Sequence, residues 1–297
     1  MSKIKICAIG ESMIEITNIQ GSKFVQSFAG DTLNFLSYLN KKNISADYLT
    51  AVGGSKINKD FFYLLKSRSI SNKFIHVDNK NETGLYLIKN DNKGEKSFYY
   101  WRDNSAAKIH LNKLNYNKIS VALKKHDYLY FSGITLSVIS NKKQNELLYA
   151  IKKIKNHNVK IIFDLNVRVK RWLSKKTLTN SMNLFLPYID ILFCSGEDIK
   201  NWKNNQSLEF FKNFVKFYNI KHAIFRQNAS KNYVFLNNSL YQIMNKTKKK
   251  IIDSSGAGDG YNAAYISEYL ISNDVYRSLK SAHFLGSKIV MKKGAIV

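Results

Sequence analysis

The 297-residue sequence predicts an α/β fold: a mostly parallel β-sheet covered by helices on both faces, with a small antiparallel β-sheet inserted. Short apolar runs alternate with segments of helical period along most of the chain, as in βα units. The alternation is interrupted once, between Phe74 and Arg102, where side chains alternate in polarity. A hydrophobic content of 44% excludes wholesale disorder, and the length suits one large domain over residues 1–297.

The first two βα units occupy the N-terminal part of the chain. Ile4–Ile9 and Tyr48–Val52 are apolar runs typical of buried strands. Asp31–Lys42 is predicted as a helix with Asp31 as its N-cap, because its leucines share one face. Residues 57–68 resume a helical period.

The inserted sheet is predicted from two strands with a turn between them. The strands are Gly84–Lys89 and Glu95–Arg102, and the turn signal is Asn92–Gly94. After this insertion the alternation resumes. The later predicted strands are Tyr128–Ser132, Val159–Asp164, Ile189–Phe193, Ala223–Arg226, 232–236 and 239–244. The later predicted helices lie near 141–156, within 197–218, and at 257–272 and 274–291.

The formal net charge of +26 raises the question of a nucleic-acid partner. The lysines are spread over the whole chain, and the densest run, Lys246–Lys250, is short. Lys, Asn, Ile, Tyr and Phe are frequent and share AT-rich codons, so genome base composition explains the charge. We therefore expect no nucleic-acid partner.

Targeting and redox signals are also missing from the sequence. No apolar run reaches the length of a membrane span, and the N-terminus lacks the pattern of a signal peptide. Cys7 and Cys194 lie far apart, so neither a disulfide framework nor a metal-ligand spacing is predicted. These features predict a cytoplasmic protein without membrane contact.

The strongest chemical signal is the segment Asp253–Asp259. Gly256 and Gly258 let a backbone approach a ligand closely at a predicted helix N-terminus, where free N–H groups favour an anion. The Asp259 carboxylate would normally repel a phosphate, so its placement suggests proton chemistry beside the anion. The combination therefore indicates phosphoryl transfer, with a base beside an anion hole. The alternative is ordinary helix initiation, because short motifs match by chance.

A second segment, Phe28–Asn34, has the features of a hydroxyl-binding site. Gly30 permits close approach, and Asp31 and Asn34 offer hydrogen-bonding groups one turn apart. Taken alone, Asp31 is better explained as an N-cap.

A third segment, Ser97–Arg102, alternates its side chains between two faces of a strand. Tyr100 and Arg102 share a face, and a guanidinium there suits a substrate carboxylate. Tyr99 and Trp101 lie on the other face, where we expect aromatic packing between sheets.

Polar residues also follow two further predicted strands. Asn166 and Arg168 come after the strand that ends at Asp164, where ligands of open α/β sheets bind. Glu197 follows the next strand and is predicted to help bind Mg²⁺ through water. An acidic residue that favours a helix N-terminus is the alternative for Glu197.

Together these segments resemble the ribokinase-like (PfkB-type) sugar kinases, and within them the kinases of 2-keto-3-deoxygluconate. The resemblance covers nearly the whole chain. It is carried by Ile9–Glu15, Phe28–Asn34, Gly84–Tyr86, Phe98–Arg102, Asp164–Arg168, Asp253–Asp259 and Lys293–Ile296.

The resemblance implies ATP- and Mg²⁺-dependent phosphorylation of 2-keto-3-deoxygluconate to 2-keto-3-deoxy-6-phosphogluconate. It implies that Asp259 is the catalytic base and that Gly256, Ala257 and Gly258 form the anion hole. The residues that it assigns to the sugar acid are Gly30, Asp31, Asn34, Tyr86, Tyr100, Arg102 and Arg168. The residues that it assigns to the nucleotide are Asn166, Arg226, Asn228, Ser230, Gly256 and Gly258. The inserted sheet corresponds to a lid, drawn from about residues 12–28 and 74–102, which is expected to mediate a homo-oligomer.

Three departures from the family pattern concern mainly the nucleotide side. Ser254 and Ser255 stand where two threonines are usual, and they keep the hydroxyls. The loop Arg226–Ser230 has no glycine, and Asn228 is predicted to take the glycine position in left-handed backbone. Cys194 stands where the family's Asn-x-x-Glu element has Asn.

Two alternatives remain open from the sequence. One is a kinase for another sugar, such as fructose or a different deoxy-sugar acid. The other is a non-catalytic homologue kept for binding.

Overall fold

The computed structural model describes residues 3–90, 96–244 and 251–297. The predicted turn Asn92–Gly94, the first residue of the predicted strand at Glu95, and the basic run Lys246–Lys250 lie outside these residues.

The larger sheet contains the strands β1 Ile4–Ile9, β4 Ile44–Gly53, β5 Ile70–Ser71, β6 Ile75–Asp78, β9 Tyr128–Ser132, β10 Lys160–Asp164, β11 Ile191–Ser195, β12 His222–Arg226, β13 Lys231–Leu236 and β14 Ser239–Met244. Their order is β14-β13-β12-β11-β10-β9-β1-β4-β5, and β6 also pairs with β4. Among the described pairings, β12–β13 and β13–β14 are antiparallel and all the others in this sheet are parallel. The predicted mostly parallel sheet is confirmed.

Helices connect and cover these strands. They are α1 Asp31–Tyr38, α2 Lys59–Ser67, α3 Ala106–Lys113, α4 Tyr116–Leu123, α5 Gly133–Val138, α6 Asn141–Lys155, α7 Lys175–Phe185, α8 Gly196–Lys203, α9 Leu208–Phe217, α10 Ala257–Ser272 and α11 Val275–Ile289. Short 3₁₀ helices occupy Lys56–Asn58, Val169–Arg171 and Leu186–Tyr188.

The sheet is buried on both faces, and each face has its own hydrophobic core. Successive residues of β10 show the division. Ile161 and Phe163 pack with α6, α7 and α9, whereas Ile162 packs with α1, α10 and α11. A strand that is buried on both sides must be apolar throughout, which explains why the sequence showed continuous apolar runs here.

A second, four-stranded sheet has the order β3-β2-β7-β8. Its strands are β2 Met13–Gln20, β3 Lys23–Ala29, β7 Gly84–Asn90 and β8 Lys96–Trp101. The β2–β3 and β7–β8 hairpins are antiparallel, and the two hairpins join through a parallel β2–β7 pairing. We call this sheet the lid.

The first helix differs from the prediction at both ends. Gly30, not Asp31, is the N-cap of α1, and it makes no side-chain cap. Asp31 is the first helical residue, so its carboxylate is available for other contacts. The helix ends at Tyr38 rather than Lys42, because Leu39 turns to extended backbone.

The carboxyl ends of the parallel strands lie along one edge of the larger sheet. The strand order reverses between β9 and β1, which creates the crevice where ligands of open α/β sheets bind. Among the described helices, none is both long and apolar enough to cross a membrane.

Candidate active site

The glycine-rich loop before α10 is shaped for close backbone approach. Gly256 is the N-cap of α10 and has φ 69°, in the left-handed region. A Cβ on Gly256 would lie 2.4 Å from the Ala295 carbonyl oxygen, and one on Gly258 would lie 2.6 Å from Arg226 Nη1. Position 256 therefore requires glycine, whereas a side chain at Gly258 would displace the Arg226 guanidinium. The N-terminus of α10 leaves backbone N–H groups free to face an anion.

The C-terminal residues support this loop from behind. Buried Asp253 accepts hydrogen bonds from the Ser255 N–H (2.8 Å) and the Gly294 N–H (3.1 Å). Tyr38 OH donates to the Ala295 carbonyl (2.9 Å) and accepts from the Val297 N–H (2.9 Å). The loop is thus fixed to α1 through residues 294–297.

Asp259 lies in the first turn of α10, half-buried, and its Oδ2 accepts a hydrogen bond from Asn34 Nδ2 (2.8 Å). Burial raises the pKa of Asp259 well above its ordinary value, and the negative charge of Asp31 adds to the effect. The Asn34 hydrogen bond opposes the increase in pKa. A carboxylate with a raised pKa is a stronger base, which suits proton abstraction from a hydroxyl.

The start of α1 places further polar groups beside Asp259. Asp31 Oδ2 accepts a hydrogen bond from Asn166 Nδ2 (3.0 Å), and Oδ1 accepts from the Thr32 N–H (2.9 Å). Asn166 has φ 32° at the end of β10. The structure therefore joins Asn166, which was predicted for the nucleotide, to a residue that was predicted for the sugar.

Gly30 allows α1 to begin close to the end of β1. A Cβ on Gly30 would lie 2.4 Å from the Glu11 carbonyl oxygen.

The lid contributes a buried ion pair at the same edge. Arg102 Nη2 donates to Glu11 Oε2, and Ser105 Oγ donates to Glu11 Oε1. The Arg102 and Glu11 side chains are only 9% and 1% exposed. Tyr86 OH donates to Glu15, the next acidic residue of this part of the chain. Arg102 is therefore already neutralised by a carboxylate of the protein.

The aromatic residues of β8 are more exposed than predicted. Tyr100 lies 5.7 Å from the Tyr86 ring, and the Arg102 guanidinium lies 6.0 Å from the Tyr100 ring centre. Tyr99 and Trp101 are 49% and 60% exposed, so the expected packing of these two rings between sheets is wrong for the single chain.

A buried polar cluster lies behind the glycine loop. Arg226 Nη2 lies 4.0 Å from Asp164 Oδ1, and its guanidinium carbon lies 5.4 Å from the Tyr261 ring centre. Asn262 Nδ2 donates to Asp164 Oδ2 (2.9 Å). Burial raises the pKa of Asp164, and the positive charge of Arg226 opposes this increase. Arg226 thus stands between Asp164 and the α10 N-terminus.

At the start of α8 the buried acidic residue is Asp198, and the role of the neighbouring Glu197 in binding Mg²⁺ through water stays a prediction. Asp198 is buried and accepts hydrogen bonds from the Val167 N–H (2.7 Å) and from Ser195 N–H (2.8 Å) and Oγ (2.6 Å). Glu197 is exposed one position earlier. Ser195 is the N-cap and Asp198 occupies position N3, so the Asp198 carboxylate reaches back to Ser195 in a capping box.

The loop after β12 also differs from the prediction. Asn228 does not adopt left-handed backbone. Its side-chain oxygen instead accepts hydrogen bonds from the Ser230 N–H (3.0 Å), Ser230 Oγ (2.9 Å) and Lys231 N–H (2.8 Å). Asn228 therefore replaces glycine by closing the turn with its side chain.

Comparison with known proteins identifies the family. A family model described as pfkB family carbohydrate kinase matches residues 3–297. The chain belongs to this family. The kinase is 29% identical to the 2-dehydro-3-deoxygluconokinase of Escherichia coli (strain K12) over 304 residues, covering 100% of this chain and 98% of the relative. It is 28% identical to the enzyme of the same name from Haemophilus influenzae over 302 residues, covering 99% and 95%.

Solved structures confirm the ribokinase-like fold of this kinase. An E. coli protein described as a ribokinase II, in complex with ATP and Mg²⁺, matches with a TM-score of 0.85 at 19% identity, covering 100% of this chain and 95% of the other. The 2-dehydro-3-deoxygluconokinase of Thermotoga maritima matches with a TM-score of 0.81 at 22% identity, covering 99% and 95%.

The kinase has two arginines in the segment that follows β10. Arg168, predicted to bind the sugar acid, is exposed, and its Nη1 donates to the Val167 carbonyl (3.3 Å). Arg171 was not predicted. It is half-buried, and its Nε donates to Ser137 Oγ (3.2 Å). A second basic residue shortly after Arg168 was the only sequence signal for it.

Proposed function

We propose that this carbohydrate kinase phosphorylates 2-keto-3-deoxygluconate at its terminal hydroxyl, with ATP as the phosphoryl donor. One contact carries the proposal: the 2.8 Å hydrogen bond from Asn34, on the sugar side, to Asp259, on the phosphoryl side. This contact supports a role for Asp259, a carboxylate with a raised pKa, as a base between a hydroxyl-binding surface and an anion-binding helix N-terminus.

The reaction follows from this arrangement. The Asp259 carboxylate removes the proton of the acceptor hydroxyl while that oxygen bonds to the γ-phosphorus of ATP. The bond from this phosphorus to the β,γ-bridging oxygen breaks, and ADP leaves with the electron pair. The backbone N–H groups of Gly256, Ala257 and Gly258 would stabilise negative charge on the transferred phosphoryl group. The Ala257 N–H donates to the Ser254 carbonyl (3.3 Å).

The polar cluster behind the loop suits a magnesium nucleotide. Mg²⁺ bound to nucleotide phosphates usually keeps several waters and needs only one or two protein carboxylates. Among the described residues, buried Asp164 Oδ1 accepts no hydrogen bond and has the Arg226 guanidinium as a charged neighbour at 4.0 Å, whereas both Asp198 oxygens accept backbone N–H groups. Asp164 would therefore hold the ion, directly or through water. The ion would neutralise charge on the β- and γ-phosphates.

The nucleotide itself would extend along the loop after β12. Arg226 lies beside Gly258, close to where a transferred phosphoryl group would sit. Asn228 and Ser230 form the closed turn that follows. Ser230 and the turn backbone are the groups we assign to the nucleotide here.

The sugar acid is supported by the names of the full-length relatives and by the arginines around the lid. A different deoxy-sugar acid is the second candidate, because the 5-dehydro-2-deoxygluconokinase of Bacillus subtilis is 23% identical over 55% of this chain. The fructokinase of Vibrio cholerae O395 matches with a TM-score of 0.81 at only 17% identity, which supports a shared fold and does not favour fructose as the substrate.

A coupled ADP-release assay over a panel of sugar acids and neutral ketohexoses tests the proposal. We expect 2-keto-3-deoxygluconate to give the highest kcat/KM. Asp259→Asn should lower kcat by about 10²–10⁴-fold, because general-base catalysis contributes about that much. Asp60→Asn, an exposed change on α2, is the control and should have no effect. Near-normal turnover by the Asp259 variant would contradict the mechanism, and preference for a neutral sugar would contradict the substrate.

A further inference from the structure

Three arginines lie in the segments that follow β8 and β10, and they differ in how their charge is balanced. Arg102 forms a buried ion pair with Glu11. Among the described residues, no carboxylate oxygen lies within 4.0 Å of the Arg168 or Arg171 guanidinium. Arg168 is exposed and Arg171 is half-buried. Arg171 is therefore a partly desolvated cation that lacks a counter-ion in the described part of the chain.

Arg171 is also held in place. It ends the 3₁₀ helix Val169–Arg171 that follows β10, and its Nε donates to Ser137 Oγ (3.2 Å) in α5. Ser137 Oγ donates in turn to the Ile134 carbonyl (2.7 Å). The Nη1 and Nη2 groups make no hydrogen bond to another described residue. An anchored guanidinium with two free amino groups has the geometry for a bidentate carboxylate contact.

The charges around Arg171 connect it to the lid. Burial lowers the pKa of Arg171, and the nearby positive charge of Arg102 lowers it further. The negative charges of Glu11 and Asp103 act in the opposite direction. Arg171 thus lies within electrostatic range of the ion pair between Arg102 and Glu11. A bound carboxylate would relieve both the lost hydration and the repulsion between the two guanidinium groups.

We propose that Arg171 is a further specificity-determining residue, whose guanidinium binds the carboxylate of the sugar acid. The inference rests on the proposed function, since it places the sugar at this edge of the sheet. It deepens that function by assigning the preference for an acid mainly to Arg171. Arg102, whose charge Glu11 already balances, contributes less to that preference.

The test compares two ligands that differ only at C1. They are 2-keto-3-deoxygluconate and 3-deoxy-D-fructose, in which CH₂OH replaces the carboxylate. Their Kd values are measured by calorimetry with the full chain and without ATP. The wild-type protein should bind the acid more tightly than the neutral sugar. Arg171→Gln should raise the Kd of the acid by about 10- to 100-fold, the usual effect of losing charged hydrogen bonds, and leave that of the neutral sugar within about 2-fold. Lys170→Gln, an exposed neighbour, should change neither.

An unchanged acid preference in a folded Arg171→Gln protein would overturn the inference, as would a wild-type protein without acid preference. Ser137→Ala provides a second route if the first variant does not fold. It frees the guanidinium and should raise the Kd of the acid by about 3-fold, within the range of one hydrogen bond. An unchanged ratio of the two Kd values in that variant would also overturn the inference.

The two proposals fail separately. Because binding is measured without ATP, a protein that prefers the acid but does not phosphorylate it would contradict only the proposed function. The other outcome is a protein that phosphorylates the sugar acid, but in which the ratio of kcat/KM for the acid to kcat/KM for the neutral sugar is the same in wild type and Arg171→Gln. That result would contradict only the inference.

Discussion

At the scale of single residues, Asp259 shows a conflict between stability and function. Its carboxylate is desolvated and lies near Asp31, so the folded protein holds it at a free-energy cost. The proposed mechanism accounts for this cost, because the same surroundings that raise the pKa make the carboxylate a stronger base.

We expect Asp259→Asn to stabilise the protein at neutral pH. The pKa of Asp259 is raised in the folded state, so the folded protein binds more protons than the unfolded chain between the two pKa values, and stability falls as pH rises through that window. Asp259→Asn has no carboxylate at this position, so its stability does not fall with pH for this reason. Urea unfolding from pH 4 to 8 should show that the difference between variant and wild type grows with pH. A difference that shrinks with pH would show that the pKa is not raised.

The ion pair between Arg102 and Glu11 gives a second prediction for single residues. Arg102→Met leaves Glu11 buried without its cation and should lower the free energy of unfolding by about 3–5 kcal/mol. The double variant Glu11→Gln/Arg102→Met removes both charges and should recover most of that loss. Chemical denaturation of Glu11→Gln, Arg102→Met and the double variant measures the coupling free energy between the two side chains. Additive losses would mean that the pair is not coupled.

At the scale of elements, continuous apolar runs made the main-sheet strands predictable, whereas helices α3 and α4 were missed. Strands β1, β9 and β10 match the predictions closely because burial on both faces demands unbroken hydrophobicity. Helices α3 and α4 have eight residues each, as α1 does, but α1 was predicted because its leucines share one face.

The same scale explains which features of the site the local sequence could indicate. Glu197 and Asp198 are adjacent and both acidic, and only the N-cap geometry of α8 decides which one faces inward. Arg171 depends on Ser137, which lies 34 residues earlier in the chain. In contrast, Asp259 and Asn34 were found because local glycine motifs mark both helix starts.

Strand β12 and helix α10 give a pH prediction. His222 Nε2 and Tyr265 OH form a buried hydrogen bond of 2.8 Å, and burial lowers the pKa of His222 to about 4. The unfolded chain, with a His pKa of about 6.5, takes up the proton first, so the free energy of unfolding should fall by up to about 3 kcal/mol as pH drops through this window. His222→Gln should remove this slope between pH 6.5 and 4. Exposed His157→Gln is the control and should retain it.

At the scale of the whole molecule, the lid presents an apolar outer face. Strand register places Phe24, Tyr99 and Trp101 on the face opposite Tyr86 and Tyr100, and all three are between 47% and 60% exposed. Exposed apolar patches of this kind mark interaction surfaces. The expected homo-oligomer through the lid therefore stays a prediction with a defined surface.

Trp101→Glu should shift the protein toward monomer in sedimentation velocity experiments, because a charge in an apolar interface is costly to desolvate. Tyr63→Glu changes an aromatic residue on α2 that is 68% exposed and should leave the association state unchanged. A wild-type protein that is monomeric at high concentration would contradict the assignment of this face.

The support of the glycine loop by residues 294–297 has a consequence for biosynthesis. A ribosome makes the sugar side of the site, around Asn34, early in translation, and the base Asp259 much later. The Gly294 and Val297 amides, which hold Asp253 and Tyr38 in place, emerge later still. The contacts that hold the glycine loop against α1 can therefore form only after residues 294–297 have been made.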